Sequence, residues 1–94
     1  MKTLSLIVPV YNEEKTLSSI VEKINKLQNE KYLKENNIEL EIILVDDCST
    51  DNSFSIAKEL EKKYSNTKVF QNPKNMGKGS ALKTGFLNAN GDFI

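Results

Sequence analysis

The chain has 94 residues, and its 13 basic side chains balance its 13 acidic ones, so the formal net charge is zero. A neutral chain lacks the long-range positive field that gathers nucleic acid or an anionic membrane, so we expect no nucleic-acid partner. One cysteine and no histidine exclude an internal disulfide, the usual zinc spacings and histidine-based hydrolytic triads.

The first apolar run, residues 4–10, predicts a strand that is buried on both faces. It is far shorter than the roughly 20 residues that span a bilayer, and no small-residue cleavage site follows it. We therefore expect a cytoplasmic protein. Asn12 is a candidate cap for an amphipathic helix that begins at Glu13, and residues 29–37 are expected to form an exposed loop.

Further along, apolar runs and turn signals alternate in a regular way. Residues 42–45 predict a second strand, residues 54–64 a second helix and residues 68–71 a short third strand. Residues 77–79 open a third helix, and residues 92–94 begin another strand. The order β-α-β-α-β-α-(β) predicts an α/β fold: a parallel, Rossmann-like sheet with helices on both faces and ligands beyond the carboxyl ends of the strands.

Adjacent carboxylates end the second strand. Because side chains alternate along a strand, Asp46 and Asp47 are expected to have different roles. For Asp46 and Asp51 we favour helix capping. Asp47 is expected to accept hydrogen bonds from a nucleobase N–H or a ribose hydroxyl, as acids at strand ends do in doubly wound sheets.

The loops after strands one and three also carry candidate ligand-binding residues. Pro9, Tyr11 and Glu13 place a rigid turn, an aromatic ring and an acid where the first strand ends. Gly77 and Lys78 stand where a helix begins, and free N–H groups at a helix start favour a diphosphate. The segment does not match a Walker A loop, because Asn72 stands where glycine is required and Gly79 stands where serine or threonine is required. It does not match a dinucleotide fingerprint either, because Leu82 stands where glycine is required.

Three segments together resemble glycosyltransferase family 2, which has the GT-A fold. They are residues 8–14 (VPVYNEE), 45–51 (VDDCSTD) and 75–81 (NMGKGSA). The last segment resembles in particular the branch that transfers glucose or mannose to dolichyl or undecaprenyl phosphate.

The resemblance implies an inverting transferase that takes a sugar from a UDP- or GDP-sugar. Matched position by position, it assigns six residues to the nucleotide sugar and two, Asp46 and Gly77, to secondary roles. The six are Pro9, Tyr11, Glu13, Val45, Asp47 and Lys78.

In such enzymes the next strand leads into an Asp-x-Asp motif that binds Mg²⁺ or Mn²⁺, and a catalytic base follows later. Neither is present in residues 1–94, which we therefore interpret as the N-terminal nucleotide-binding part of a catalytic domain, truncated before that motif. We expect this part to be inactive alone and to self-associate through uncovered apolar surface. Membrane contact is expected only through missing parts or a lipid-linked acceptor, at the cytoplasmic face.

Two alternatives stand beside this interpretation. A receiver domain of two-component signalling also has adjacent aspartates at a strand end, although they follow its first strand and not its second. A non-catalytic nucleotide-binding module, complete in itself, would need a natural gene that ends near Ile94.

Overall fold

The computed structural model describes residues 2–89 and 91, except for the side chain of Lys78. The strand expected at residues 92–94 lies outside the described residues. Along the described part, the elements in chain order are β1 (Lys2–Val10), α1 (Leu17–Leu27), α2 (Lys31–Glu35), β2 (Ile38–Asp46), α3 (Ser53–Lys63), β3 (Thr67–Gln71) and α4 (Lys78–Asn88).

The strands form a parallel sheet in the order β1-β2-β3. Val10 at the end of β1 pairs with Asp46, and Asp46 pairs in turn with Gln71 at the end of β3. The three carboxyl ends therefore meet at one edge of the sheet, which confirms the predicted parallel α/β arrangement and brings the three unusual loops together.

Helices cover both faces of β2. Ile42 and Leu44 belong to a buried cluster with residues of α1 and α3, whereas Ile43 and Val45 belong to a second cluster with Ala81 of α4. Because alternate side chains of a central parallel strand meet helices on opposite sides, the strand needs a continuous apolar run.

The first helix begins later than the sequence predicts. Helix α1 starts at Leu17, and Asn12 has a positive φ of 52° and makes no cap for it, so the capping prediction was wrong. Asn12 instead binds the loop that follows β2, because its side-chain oxygen accepts the N–H of Thr50 at 2.9 Å.

The segment predicted as a loop contains a short helix. Helix α2 buries no residue, so it leaves no apolar periodicity in the sequence from which a helix could be recognised. An exposed ion pair between Lys31 and Glu35, 3.6 Å apart, spans its single turn. The prediction for residues 29–37 was therefore wrong in part, although the segment is exposed as expected.

Candidate functional site

A cavity of about 420 Å³ opens at the carboxyl edge of the sheet, between the ends of β1 and β2 and the start of α4. Residues from all three predicted loops line it. The lining consists of loop residues Tyr11, Glu13, Asp47, Asn75 and Gly77, with Pro9 and Val10 of β1 and Ala81 of α4.

The loop after β1 is fastened to the loop after β2 by backbone groups. The N–H of Asn12 donates to Ser49 Oγ at 2.9 Å, and the N–H of Glu13 donates to Ser53 Oγ at 2.7 Å. The left-handed conformation of Asn12 is one that asparagine tolerates well, and it turns the chain toward these partners. These contacts hold Tyr11 and Glu13 at the rim of the cavity.

Asp46 is fully buried and supports the loop that follows β2. Its carboxylate accepts the hydroxyl of Ser49 at 2.6 Å, the N–H of Ser49 at 3.0 Å and the side-chain amide of Gln71 at 3.2 Å. None of these donors belongs to α3, so the helix-capping prediction for Asp46 was wrong. It joins the ends of two strands and shapes the turn between them.

Asp51, by contrast, does bind the start of α3. Its Oδ1 accepts the N–H of Ser53, the first residue of the helix, at 2.8 Å. Burial raises the pKa of Asp51, but the hydrogen bonds from Ser53 and from the N–H of Glu14 outweigh it, and the pKa lies below its ordinary value. The prediction that Asp51 binds the start of this helix is confirmed, although the N-cap residue is Asn52 and not Asp51.

Asp47 lines the cavity and is almost fully buried, with 5% of its surface exposed. Oδ1 accepts the side-chain amide of Asn72 at 2.9 Å and the N–H of Met76 at 3.0 Å, and Oδ2 accepts the N–H of Gly77 at 2.9 Å. The hydrogen bond from Asn72, followed by that from Met76, lowers the pKa of Asp47. The carboxylate is therefore ionised at neutral pH and holds the loop before α4 against the cavity.

Asn72 and Thr84 form hydrogen bonds near the cavity that the sequence did not predict. Asn72 is buried, and its side-chain oxygen accepts the hydroxyl of Thr84 on α4 at 3.0 Å. In the sequence, Asn72 stood out only as a mismatch to the Walker A pattern, and Thr84 did not stand out. No local sequence pattern could have predicted this contact, because Asn72 is 25 residues from Asp47 along the chain and only the fold brings them together.

The helix that follows this loop begins at the cavity. Gly77 has a φ of 90°, a left-handed conformation that favours glycine, and Ala81 donates its N–H to the Gly77 carbonyl at 3.2 Å in the first turn. The first N–H groups of a helix have no partner within the helix, so this end suits an anion.

The structure brings together most of the predicted site residues. Pro9, Tyr11, Glu13, Asp47 and Gly77 line one cavity, and Tyr11 is 43% exposed there.

Two predicted residues stand apart from that group. Val45 is fully buried and packs with Ile43 and Ala81, so its side chain lies in the core behind the cavity wall. The backbone of Lys78 begins α4 at the cavity, while its side chain lies outside the described residues.

The described part of the chain contains neither a metal-binding cluster nor a membrane-spanning helix. No three His, Cys, Asp or Glu side chains there lie close enough together to hold a metal ion. No helix among those residues is long and apolar enough to cross a membrane.

Comparison with known protein families identifies the family of this chain. Residues 5–94 match the family described as glycosyl transferase family 2. The chain belongs to glycosyl transferase family 2. Membership confirms the resemblance carried by the three sequence segments, and it decides against the receiver-domain alternative.

Relatives of this family 2 chain include a dolichyl-phosphate beta-glucosyltransferase of Trichomonas vaginalis. It is 38% identical over 91 residues, which cover 97% of this chain and 28% of the relative. The chain therefore spans little more than a quarter of the length of that curated relative.

Solved structures of glycosyltransferases share the fold. Residues 1–349 of S. aureus TarS in complex with UDP superpose with a TM-score of 0.77 at 34% identity, over 100% of this chain and 27% of the TarS 1–349 chain. A mannosyltransferase from Pyrobaculum calidifontis in complex with GDP-Man and Mn²⁺ has a TM-score of 0.65 at 27% identity, over 95% of this chain and 24% of the other. These likenesses confirm the predicted GT-A fold.

Proposed function

We propose that the cavity at the carboxyl edge of the sheet binds the nucleotide of a UDP- or GDP-sugar, and that the chain is the nucleotide-binding part of an inverting glycosyltransferase. The observation that carries the proposal is the meeting of Tyr11, Asp47 and the start of α4 around one cavity. An aromatic ring, an ionised carboxylate and a helix N-terminus are the groups that a base, its N–H and a diphosphate require.

The base end of the nucleotide is assigned to Tyr11 and Asp47. Tyr11 is nearly half exposed and can offer the face of its ring for stacking, and Asp47 offers a carboxylate that its neighbours keep ionised. Pro9 and Glu13 shape the rim beside them, while Val45 supports the strand end from the core.

The diphosphate end is assigned to the start of α4. Gly77 has no side chain to block the approach of a phosphate, and a Cβ at that position would meet no atom within 4 Å. Lys78, the first residue of the helix, would add a positive charge to the helix N-terminus.

A divalent cation is expected in the complete enzyme, since the solved Pyrobaculum relative contains Mn²⁺. The described residues do not fit a metal, because no three ligating side chains among them converge. We therefore assign Mg²⁺ or Mn²⁺ to other parts of the whole protein and derive no step through it.

Transfer of the sugar is proposed for the whole protein, to a polyprenyl phosphate acceptor at the cytoplasmic face of a membrane. The name of the Trichomonas relative, a dolichyl-phosphate beta-glucosyltransferase, supports this acceptor class. Because the chain covers 28% of that relative, we expect no turnover of a UDP- or GDP-sugar by the 94-residue chain. Measurable transfer by the purified chain would contradict this.

Self-association of the 94-residue chain is also proposed. Leu82, Phe86 and Leu87 on α4 are 41%, 60% and 71% exposed. Apolar side chains grouped on one helix favour contact with a second copy of the chain, which would remove them from water.

Titration of the ¹⁵N-labelled 94-residue chain with UDP and with GDP tests the binding proposal. We expect shifts of the amide signals of residues 11–13 and 75–79. Tyr11→Ala should weaken binding several-fold without disturbing the hydrogen bonds of Asp47, and Asp47→Ala should abolish it. Glu59→Ala, an exposed acid on α3, is the control. Absence of any shift with either nucleotide would refute the proposal for this chain.

A further inference from the structure

Asn72 connects helix α4 to the carboxylate that faces the cavity. Thr84 Oγ1 donates to Asn72 Oδ1 at 3.0 Å, and Asn72 Nδ2 donates to Asp47 Oδ1 at 2.9 Å. An ionised carboxylate only accepts hydrogen bonds, so the amide nitrogen of Asn72 must face Asp47. Thr84 holds Asn72 in that orientation.

The hydrogen bonds of Asp47 leave little capacity for a ligand. A carboxylate has about four acceptor positions, two on each oxygen. Asn72 and the N–H of Met76 fill both positions on Oδ1, and the N–H of Gly77 fills one on Oδ2. With respect to the described residues, one acceptor position on Oδ2 therefore remains, and Asp47 lines the cavity.

Nucleobases differ in how many donors they present to a carboxylate. Guanine presents two adjacent donors, the N1–H and the exocyclic amine, which pair with both oxygens of one carboxylate. Uracil presents a single imide N–H, which needs one acceptor position. A buried donor that finds no partner costs roughly 1–3 kcal/mol.

We propose that Asn72 is a specificity-determining residue: by occupying Oδ1 of Asp47, it restricts the site to a base with one donor and selects a UDP-sugar over a GDP-sugar. The inference rests on the proposed function and deepens it. Asn72 acts through Asp47 and does not touch the nucleotide itself.

A nucleotide series on the unaltered 94-residue chain is the first test, read by calorimetry or by amide shifts. UDP should bind about tenfold more tightly than GDP, the ratio that corresponds to one unsatisfied donor. CDP should also bind more weakly than UDP, because N3 of cytosine is an acceptor and would face the oxygen of Asp47.

Asn72→Ala is the second test, with Asn88→Ala as the matched control on α4. Asn88 donates only to the Thr84 carbonyl among its described contacts, away from the cavity. Removing the Asn72 amide frees a position on Oδ1, so the ratio of UDP to GDP affinity should fall toward one. Thr84→Val, which removes the hydroxyl that holds Asn72, should lower the ratio partly, and Thr84→Ser should restore it.

The outcomes separate this inference from the proposed function. Equal binding of UDP, CDP and GDP would mean that Asp47 binds ribose or nothing, and would overturn the inference while leaving nucleotide binding in place. An unchanged ratio in a folded Asn72→Ala chain would also overturn it. Binding of no nucleotide at all would overturn both. The series on the unaltered chain decides the matter even where Asn72→Ala fails to fold.

Discussion

At the scale of single residues, Asp46 and Asp47 show how two adjacent carboxylates acquire different roles. Asp46 is fully buried and accepts three hydrogen bonds from Ser49 and Gln71, whereas Asp47 lines the cavity and binds the loop before α4. Asp46 is the last residue of β2, whereas Asp47 is the first residue beyond it, so the two side chains have different surroundings. Asp46 therefore stabilises the end of the strand, and Asp47 faces the cavity.

Asp46→Ala should lower the free energy of unfolding by about 2–4 kcal/mol, because it leaves the donors of Ser49 and Gln71 without their charged acceptor. Urea denaturation measures the change. Glu59→Ala, which removes an exposed acid, should stay within about 0.5 kcal/mol of the unaltered chain. Equal stability of the two variants would contradict the supporting role of Asp46.

Asp47 gives the chain a pH-dependent contribution to stability. The hydrogen bond from Asn72, with those from Met76 and Gly77, lowers its folded-state pKa below the ordinary value of 3.8. A lowered folded-state pKa stabilises the fold above the unfolded-state pKa, and this stabilisation is lost as the pH falls through the folded-state pKa.

The stability difference between the unaltered chain and Asp47→Asn should therefore be constant near neutral pH and shrink below a pH of 3.8. Urea denaturation at a series of pH values measures this difference. Comparing the two chains cancels the contributions of Asp51 and Glu61, whose pKa values are also lowered. A stability difference that grows on acidification would contradict the lowered pKa of Asp47.

At the scale of elements, the close packing of α4 against β1 depends on a glycine. A Cβ at Gly85 would meet the Cγ2 atom of Ile7 and lie 3.1 Å from its Cγ1 atom. By contrast, a Cβ at Gly79, on the same helix, would meet no atom within 4 Å. Substituting each glycine in turn therefore distinguishes the effect of packing, at Gly85, from the effect of helix propensity, at Gly79.

Gly85→Ala should destabilise the chain by about 1–3 kcal/mol, because the added methyl group overpacks the contact with Ile7. Gly79→Ala should instead raise stability by up to about 1 kcal/mol, since alanine is the better helix former. Thermal or urea unfolding of both variants tests this. Stabilisation by both substitutions would show that α4 does not lie tightly on β1.

At the scale of the whole molecule, the outer surface of α4 carries large apolar side chains. Leu82, Phe86 and Leu87 are exposed there, while Ala81 faces the sheet. Contact with a second copy through this surface would lower the area of apolar surface in water.

Sedimentation velocity over a range of concentrations should therefore show a dimer or a larger assembly. Phe86→Ser should shift the distribution toward the monomer. Tyr32→Ser, which changes an aromatic residue that is 70% exposed on α2, should leave it unchanged. A monomer at high concentration would contradict the prediction of self-association.

The amino-acid sequence by itself determined the order of strands and long helices, the parallel sheet and the edge where the candidate site lies. It could do so because apolar runs such as residues 42–45 and turn signals such as Asp46-Asp47 are local. It missed α2, which buries nothing, and it misplaced the start of α1 by assigning Asn12 to the wrong partner.

Only the tertiary structure decided which donors meet which acceptors. Asn12 binds residues 38 and 39 positions away, and Asp47 binds Asn72 and Gly77 at separations of 25 and 30. A sequence pattern covers a few neighbouring residues, whereas these contacts depend on how parallel strands bring distant loops to one edge. Among the described contacts, Asp47 thus keeps one acceptor position, and Asn72, whose amide occupies another, was visible in the sequence only as a mismatch to the Walker A pattern.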